Sequence, residues 1–133
     1  MRRQACAKEM GISMPKSDAI VEAIRTYCRA ESEQNRSAWL ALFADDIVHE
    51  DPVGVSTNRG LAALEKFWDL IAASRVKLWL KEEVIVCGNE AIAIMACETG
   101  PEHSRRKTAP IVDHFTFNEA GKITHVRAFY KYA

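Results

Sequence analysis

The chain has 133 residues, with 18 lysines and arginines balancing 18 aspartates and glutamates, and 48% of its residues are hydrophobic. That length predicts one domain around a single sizeable core and is too short for two domains of ordinary size. A net charge of zero leaves no electrostatic footprint for nucleic acid or an anionic membrane surface, and no run reaches the roughly 18 apolar residues of a membrane span.

Cys6, Cys28, Cys87 and Cys97 form no CxxC pair and read as buried thiols of a reducing compartment. With basic residues but no apolar signal segment at the N-terminus, the expected location is the cytoplasm. Residues 1–14 have no clear period and are read as an N-terminal tail, disordered or left over from cloning, with one domain over 15–133.

From Ser17 onward, Ile20, Ile24, Tyr27 and Cys28 recur at three- and four-residue spacing, which predicts a helix capped by Ser17 or Asp18 and ending near Asn35. Ser37 is placed to cap a second, short helix through Phe43. An Asp45-Asp46 turn and a brief strand follow, stopping at Asp51-Pro52. The proline ring keeps the residue before it out of the helical region, so Asp51 has an extended, constrained backbone. Alternation puts Ile47, His49 and Asp51 on one side of that strand and Val48 and Glu50 on the other. A carboxylate at a rigid strand end beside apolar neighbours suits a general base.

Thr57 to Gly60 reads as a polar turn, and Leu61, Leu64, Phe67, Trp68 and Ile71 mark a third helix ending around Ser74. The period then falls to two. Val76, Leu78 and Leu80 predict a strand that resumes at Val84 to Val86 after a bulge at Glu82-Glu83, and Gly88-Asn89 turns into a strand over Glu90 to Thr99. Gly100-Pro101 breaks it, Lys107 to Asn118 forms the next, and Lys122 to Tyr132 the last. The expected fold class is α+β, with three N-terminal helices packed on a curved, mainly antiparallel sheet and enclosing an apolar pocket.

Within IVDHFTF, one strand face reads Ile111, Asp113, Phe115, Phe117. An ionised carboxyl among three large apolar side chains is costly to bury, so Asp113 pairs with a cation such as Arg127 or Lys107, keeps its proton, or lies on a strand phased to leave it in water. Tyr27 lies on the apolar stripe of the first helix, as a core tyrosine also would. His49, His103, His114 and His125 form no HxxxH or HExxH pattern, so no metal site is expected. The basic cluster Arg105, Arg106, Lys107 reads as a solvated hairpin rim able to contact a charged substrate tail.

The segments LFADDIVHEDPVG and APIVDHFTFNEAGKITHVRAFY, in this order and separation, closely resemble bacterial ketosteroid isomerase (steroid Δ5-isomerase), of the NTF2-like, SnoaL-like superfamily. The similarity spans about Ser17 to Tyr132. It implies a cone-shaped α+β domain in which Asp51 is the general base, while Asp113 and Tyr27 are the oxyanion-hole acid and tyrosine. It further implies a 3-oxosteroid substrate, no metal or organic cofactor, and a homodimer formed through the outer sheet face, where alternation of the Val126 type offers partly apolar surface. Ketosteroid isomerase is itself a standard illustration of a carboxylic acid kept neutral by an apolar site, and that property is taken here from the family.

Two positions depart from the family pattern. Trp68 stands where a tyrosine often supports the oxyanion tyrosine, and Tyr130 stands at a pocket position otherwise held by phenylalanine or tryptophan. Phe43, Phe67, Met95 and Phe115 complete the expected pocket wall. Beside isomerisation, two other functions suit the same features: a SnoaL-like cyclase or dehydratase acting on another polycyclic substrate, and a sterol- or lipid-binding module without turnover.

Overall fold

The computed structural model describes residues 17–132. The expected tail of residues 1–14 and Cys6 lie outside the described residues. Helix α1 (Ser17–Ser32) turns Ile20, Ile24, Tyr27, Cys28 and Glu31 inward on the predicted stripe and stops short of Asn35. Asn35, not Ser37, caps the second helix. The chain becomes helical at once in α2 (Arg36–Leu40), so Asn35 accepts from the Ala38 N–H at 3.2 Å, while Ser37 sits inside the first turn and donates to the same oxygen. Phe43 is not helical; it opens strand β1 (Phe43–Glu50).

Residues expected as a polar turn instead form β2 (Thr57–Arg59), paired antiparallel with β1 so that His49 faces Asn58 and Glu50 faces Thr57. Helix α3 (Leu61–Ser74) follows and ends at Arg75, whose left-handed backbone returns its N–H to the last carbonyls. In place of one bulged strand there are two, β3 (Lys77–Leu80) and β4 (Ile85–Cys87), both antiparallel to β5 (Glu90–Thr99).

The strand expected from Lys107 is also divided. A two-residue β6 (Arg106–Lys107) pairs with the end of β5, and β7 (Ile111–Phe117) starts only after Pro110, which has no N–H to give a ladder. The last strand, β8 (Ile123–Phe129), pairs antiparallel with β7 and parallel with β1. The sheet path is thus β2-β1-β8-β7-β5-β3, mixed but mainly antiparallel, with the three helices over its curved inner face.

Alternation sets the inner rows: Ala91, Ala93, Met95 and Cys97 from β5, Asp113, Phe115 and Phe117 from β7, and Val126 and Ala128 from β8 are all buried. Val126 therefore faces the core, which corrects its reading as part of an outer apolar face. The outer face carries both polar and apolar groups: Glu50 is held by His125 at 2.7 Å and Arg127 at 2.9 Å and His114 lies on Glu90 at 2.6 Å, while Ile92, Ile94, Val112 and Phe129 also alternate outward.

Cys28 and Cys97 are buried thiols as expected, whereas Cys87 is exposed, because β4 covers only a corner of β5. Arg105 is not a solvated rim residue. It folds back onto the Arg75 carbonyl at 2.7 Å, the Gly100 and Glu98 carbonyls and the Glu98 carboxylate, tying the 100–105 loop down. No helix of the described residues is long and apolar enough to cross a membrane.

One contact joins the helical layer to the open end of the sheet. Ser32, the last residue of α1, accepts from the Leu78 N–H at 2.8 Å and donates to the Leu78 carbonyl at 2.9 Å, satisfying both main-chain groups of an edge strand that no further strand covers. Ser32→Ala leaves that pair without its partner. It should lower unfolding stability by about 1–2 kcal/mol in a urea titration without changing its slope.

Candidate active site

Between the inner sheet face, α1 and α3 lies a cavity of about 360 Å³ whose polar lining includes Tyr27, Glu31, Asp51, Asp113 and Tyr130, with Lys131 also lining it. Its walls are otherwise largely apolar: Phe67, Leu70 and Ile71 from α3, Leu78 from β3, Met95 from β5 and Ile111 from β7. The sheet itself supplies the space. In register, Asp113 lies between Ala93 on β5 and Ala128 on β8, so the side chain directly beside it on each neighbouring strand is a methyl group.

Asp113 is 3% exposed, and its Oδ1 has no hydrogen-bond partner among the described residues. Neither cation proposed for it is available. Arg127 is on the opposite sheet face with Glu50, and Lys107 is exposed on β6. Burial first, then the nearby charges of Asp51 and Glu31, raise the Asp113 carboxyl well above the ordinary range, which favours its protonated, hydrogen-bond-donating form. Tyr27 is equally enclosed, with Phe115 edge-on at 5.2 Å, and burial followed by the charges of Glu31 and Asp113 keeps its phenol neutral.

Asp51 follows β1 directly. Its N–H donates to the Ser56 carbonyl at 2.9 Å, closing a turn that begins with a cis Asp51-Pro52 peptide. Tyr130 Oη donates to its Oδ1 at 2.6 Å. Burial raises the Asp51 carboxyl and the Tyr130 hydrogen bond works against that rise, so two aspartates of one cavity are treated differently, one with a hydrogen-bond donor on its carboxylate and one without.

Glu31 was not singled out from the sequence. It sits one helical turn after Tyr27 on the buried face of α1, accepts a 3.1 Å hydrogen bond from the Trp39 indole, and is pushed up to about 8 by burial and then by the charge of Asp51, against hydrogen bonding from Trp39 and Tyr27. The signal was present: Ile20, Ile24, Tyr27 and Glu31 share one helical stripe, and an acid on that stripe is as anomalous as Asp113 on its strand.

Of the expected wall residues, Phe67, Met95 and Tyr130 line the cavity. Phe43, Trp68 and Phe115, also expected there, are not among the residues that line it. Phe43 and Phe115 pack their rings against Tyr27, and Trp68 packs at 5.3 Å on Trp39, so these three form the backing of the polar wall. Where Trp68 departs from the family's supporting tyrosine, the polar groups next to Tyr27 are Glu31 and, through it, Trp39. Among the described residues no three His, Cys, Asp or Glu side chains are grouped to hold a metal ion. Chemically, the arrangement combines neutral O–H donors and a carboxylate across one apolar hollow, which is what proton abstraction beside a carbonyl requires.

The raised Glu31 carboxyl links stability to pH. Its folded-state affinity for a proton exceeds that of the unfolded chain, so its contribution to stability is full below the unfolded value of about 4.5 and is lost as pH rises through about 8. Glu31→Gln keeps an acceptor for Trp39 and removes this dependence. The difference in melting temperature between the variant and the parent chain should move in favour of the variant from pH 5 to pH 8.5; a constant difference across that range would mean Glu31 is ionised throughout.

The sequence matches the SnoaL-like domain family over residues 24–126. It is 32% identical over 114 residues to a steroid delta-isomerase of Nocardioides simplex, covering 86% of this chain and 91% of that one. The fold is similar to that of a Δ5-3-ketosteroid isomerase from Mycobacterium sp., with a TM-score of 0.74, 30% identity, and coverage of 85% of this chain and 93% of the other. A Mycobacterium tuberculosis protein solved in complex with estradiol-17β-hemisuccinate matches with a TM-score of 0.75 at 28% identity, over 85% of this chain and 94% of that one. Profile, sequence and fold thus agree, and the chain belongs to the SnoaL-like (NTF2-like) family, with steroid delta-isomerases among its relatives.

Proposed function

We propose that this protein is a cofactor-independent steroid isomerase that converts 3-oxo-Δ5-steroids to their conjugated Δ4 isomers. In this reading the A-ring ketone enters the cavity and its oxygen accepts hydrogen bonds from Tyr27 and from protonated Asp113. The Asp51 carboxylate removes a proton from C4, the C4–H pair forms a C3=C4 bond, and the carbonyl pair moves onto oxygen to give a dienolate. Protonated Asp51 then delivers the proton to C6, C4=C5 forms as C5=C6 is lost, and the carbonyl is restored. No atom is gained or lost, and the base ends as it began.

The observation that carries this reading is the convergence of Tyr27, Asp51 and Asp113 on one apolar cavity in which Asp113 has no cation to hold it ionised. An oxyanion developing beside two O–H donors in a dry site is stabilised without reorganisation, typically contributing roughly 100- to 1,000-fold per donor. A positioned base contributes roughly 100- to 10,000-fold. The similarity to the Nocardioides steroid delta-isomerase supports the same assignment.

Purified protein mixed with a 3-oxo-Δ5-steroid should produce the ultraviolet absorbance of the conjugated enone, and Asp51→Asn should lower the rate by roughly 1,000-fold or more. An unchanged rate removes Asp51 from the reaction. Asp113→Asn should slow turnover while leaving the melting temperature at pH 7 equal or higher, since a raised folded-state carboxyl contributes stability below its unfolded value and loses it as pH rises.

A second reading is a steroid-binding module without turnover. It is favoured by the estradiol-17β-hemisuccinate bound in the Mycobacterium tuberculosis relative. Saturable binding of a phenolic steroid with no enone formed would select it over isomerisation.

A further inference from the structure

We propose that His49 is a positioning residue for Asp51: Asn58 fixes its ring as the Nε2–H tautomer, which presents a neutral N–H dipole to the carboxylate from the core side. The inference deepens the reading of Asp51 as a base, but its central measurement does not depend on turnover.

The strand register creates the arrangement. Pairing of β1 with β2 sets Asn58 directly across from His49, and Asn58 Nδ2 lies 3.2 Å from His49 Nδ1. An amide NH2 only donates, so Nδ1 accepts, and the single proton of a neutral imidazole is left on Nε2. Nε2 is fully enclosed, has no hydrogen-bond partner among the described residues, and lies 3.8 Å from Asp51 Oδ2. That distance makes the contact ion–dipole in character, beyond hydrogen-bond length.

The surroundings keep the ring neutral. His49 is completely buried, with Phe67 at 4.6 Å and Trp39 at 6.3 Å, each edge-on, and desolvation draws its basicity down to about 4. It therefore acts near neutral pH as a dipole and not as a cation. The titratable groups around Asp51 are Tyr130 beyond β8, Tyr27 and Glu31 on α1, and Asp113 on β7. Cys97 on β5 and Lys131, exposed after β8, also line the cavity, and Lys131 is the one base among these groups. Glu31 and Asp113, when ionised, disfavour the Asp51 carboxylate, as does burial. Tyr130 on Oδ1 and His49 facing Oδ2 are the neutral donors working the other way. Together they hold the carboxylate plane and limit the rise in its proton affinity.

If Asn58 instead turned its carbonyl to the ring, the proton would sit on Nδ1 and the Nε2 lone pair would face Asp51, repelling the carboxylate. The two arrangements give opposite results. In the full-length 15N,13C-labelled protein, long-range 1H–15N correlation should find His49 as the Nε2–H tautomer at pH 7. The carboxyl 13C titration of Asp51 should move upward by roughly half to one pH unit in His49→Phe, and return most of the way in His49→Gln, which keeps an N–H donor. Asn58→Leu, which frees the tautomer without touching the ring, should raise the Asp51 midpoint by a smaller amount and serves if His49→Phe does not fold.

An Nδ1–H ring in the parent protein overturns the proposal. So does an Asp51 midpoint unmoved in Asn58→Leu and in whichever His49 variants fold. Where the protein isomerises steroids, the acid limb of kcat/KM should shift in step with the 13C midpoint. Absence of isomerisation would overturn the functional reading alone, leaving the titration to decide this one.

Discussion

A carboxyl group with no cation to pair with, set between two alanines on the inner face of the sheet, governs what surrounds it. Charging Asp113 there would mean stripping a carboxylate of water in return for nothing, since its Oδ1 has no partner and its neighbours Asp51 and Glu31 are acids. Holding the proton is the lower-energy outcome. Its protonated form places an O–H donor, in place of a charge, in a cavity whose walls are largely apolar.

The same cavity treats its other aspartate differently through purely local means. Asp51 is held by a turn closed onto Ser56 and by the Tyr130 phenol, so burial raises its proton affinity without an unopposed effect. Two identical side chains thus acquire different protonation tendencies because one receives hydrogen bonds on its charged form and the other does not. Glu31 adds a third acid whose ionisation would be felt by both, and hydrogen bonding from Trp39 and Tyr27 restrains it. The backing layer of Phe43, Trp68 and Phe115 keeps water from relaxing these differences, which is a structural role in a site they do not line.

Much of this was legible in particular residues. The helical stripe of Ile20, Ile24 and Tyr27, the alternation through IVDHFTF and the Asp51-Pro52 stop located three groups whose side chains meet in one cavity. Errors arose where local pattern competes with pairing. Thr57 to Arg59 is polar and reads as a turn, but β1 needs an antiparallel neighbour and takes it. Alternation gives Val126 two possible faces without saying which is inside; pairing with Phe115 decides that. Glu31 lies one helical turn from Tyr27 on the same buried face, a spacing as informative as any.

By itself, the sequence determined the order and type of the main elements, since hydrophobic period is a property of neighbouring residues, and it determined that Asp51 and Asp113 stand at constrained or apolar strand positions. Only the tertiary structure decided that Asp113 lacks a cation, that Ala93 and Ala128 hollow out the space beside it, and that Asn58 reaches His49 behind Asp51. Those are relations between strands far apart in the chain. Ladder register and sheet face set them, and no local periodicity encodes either.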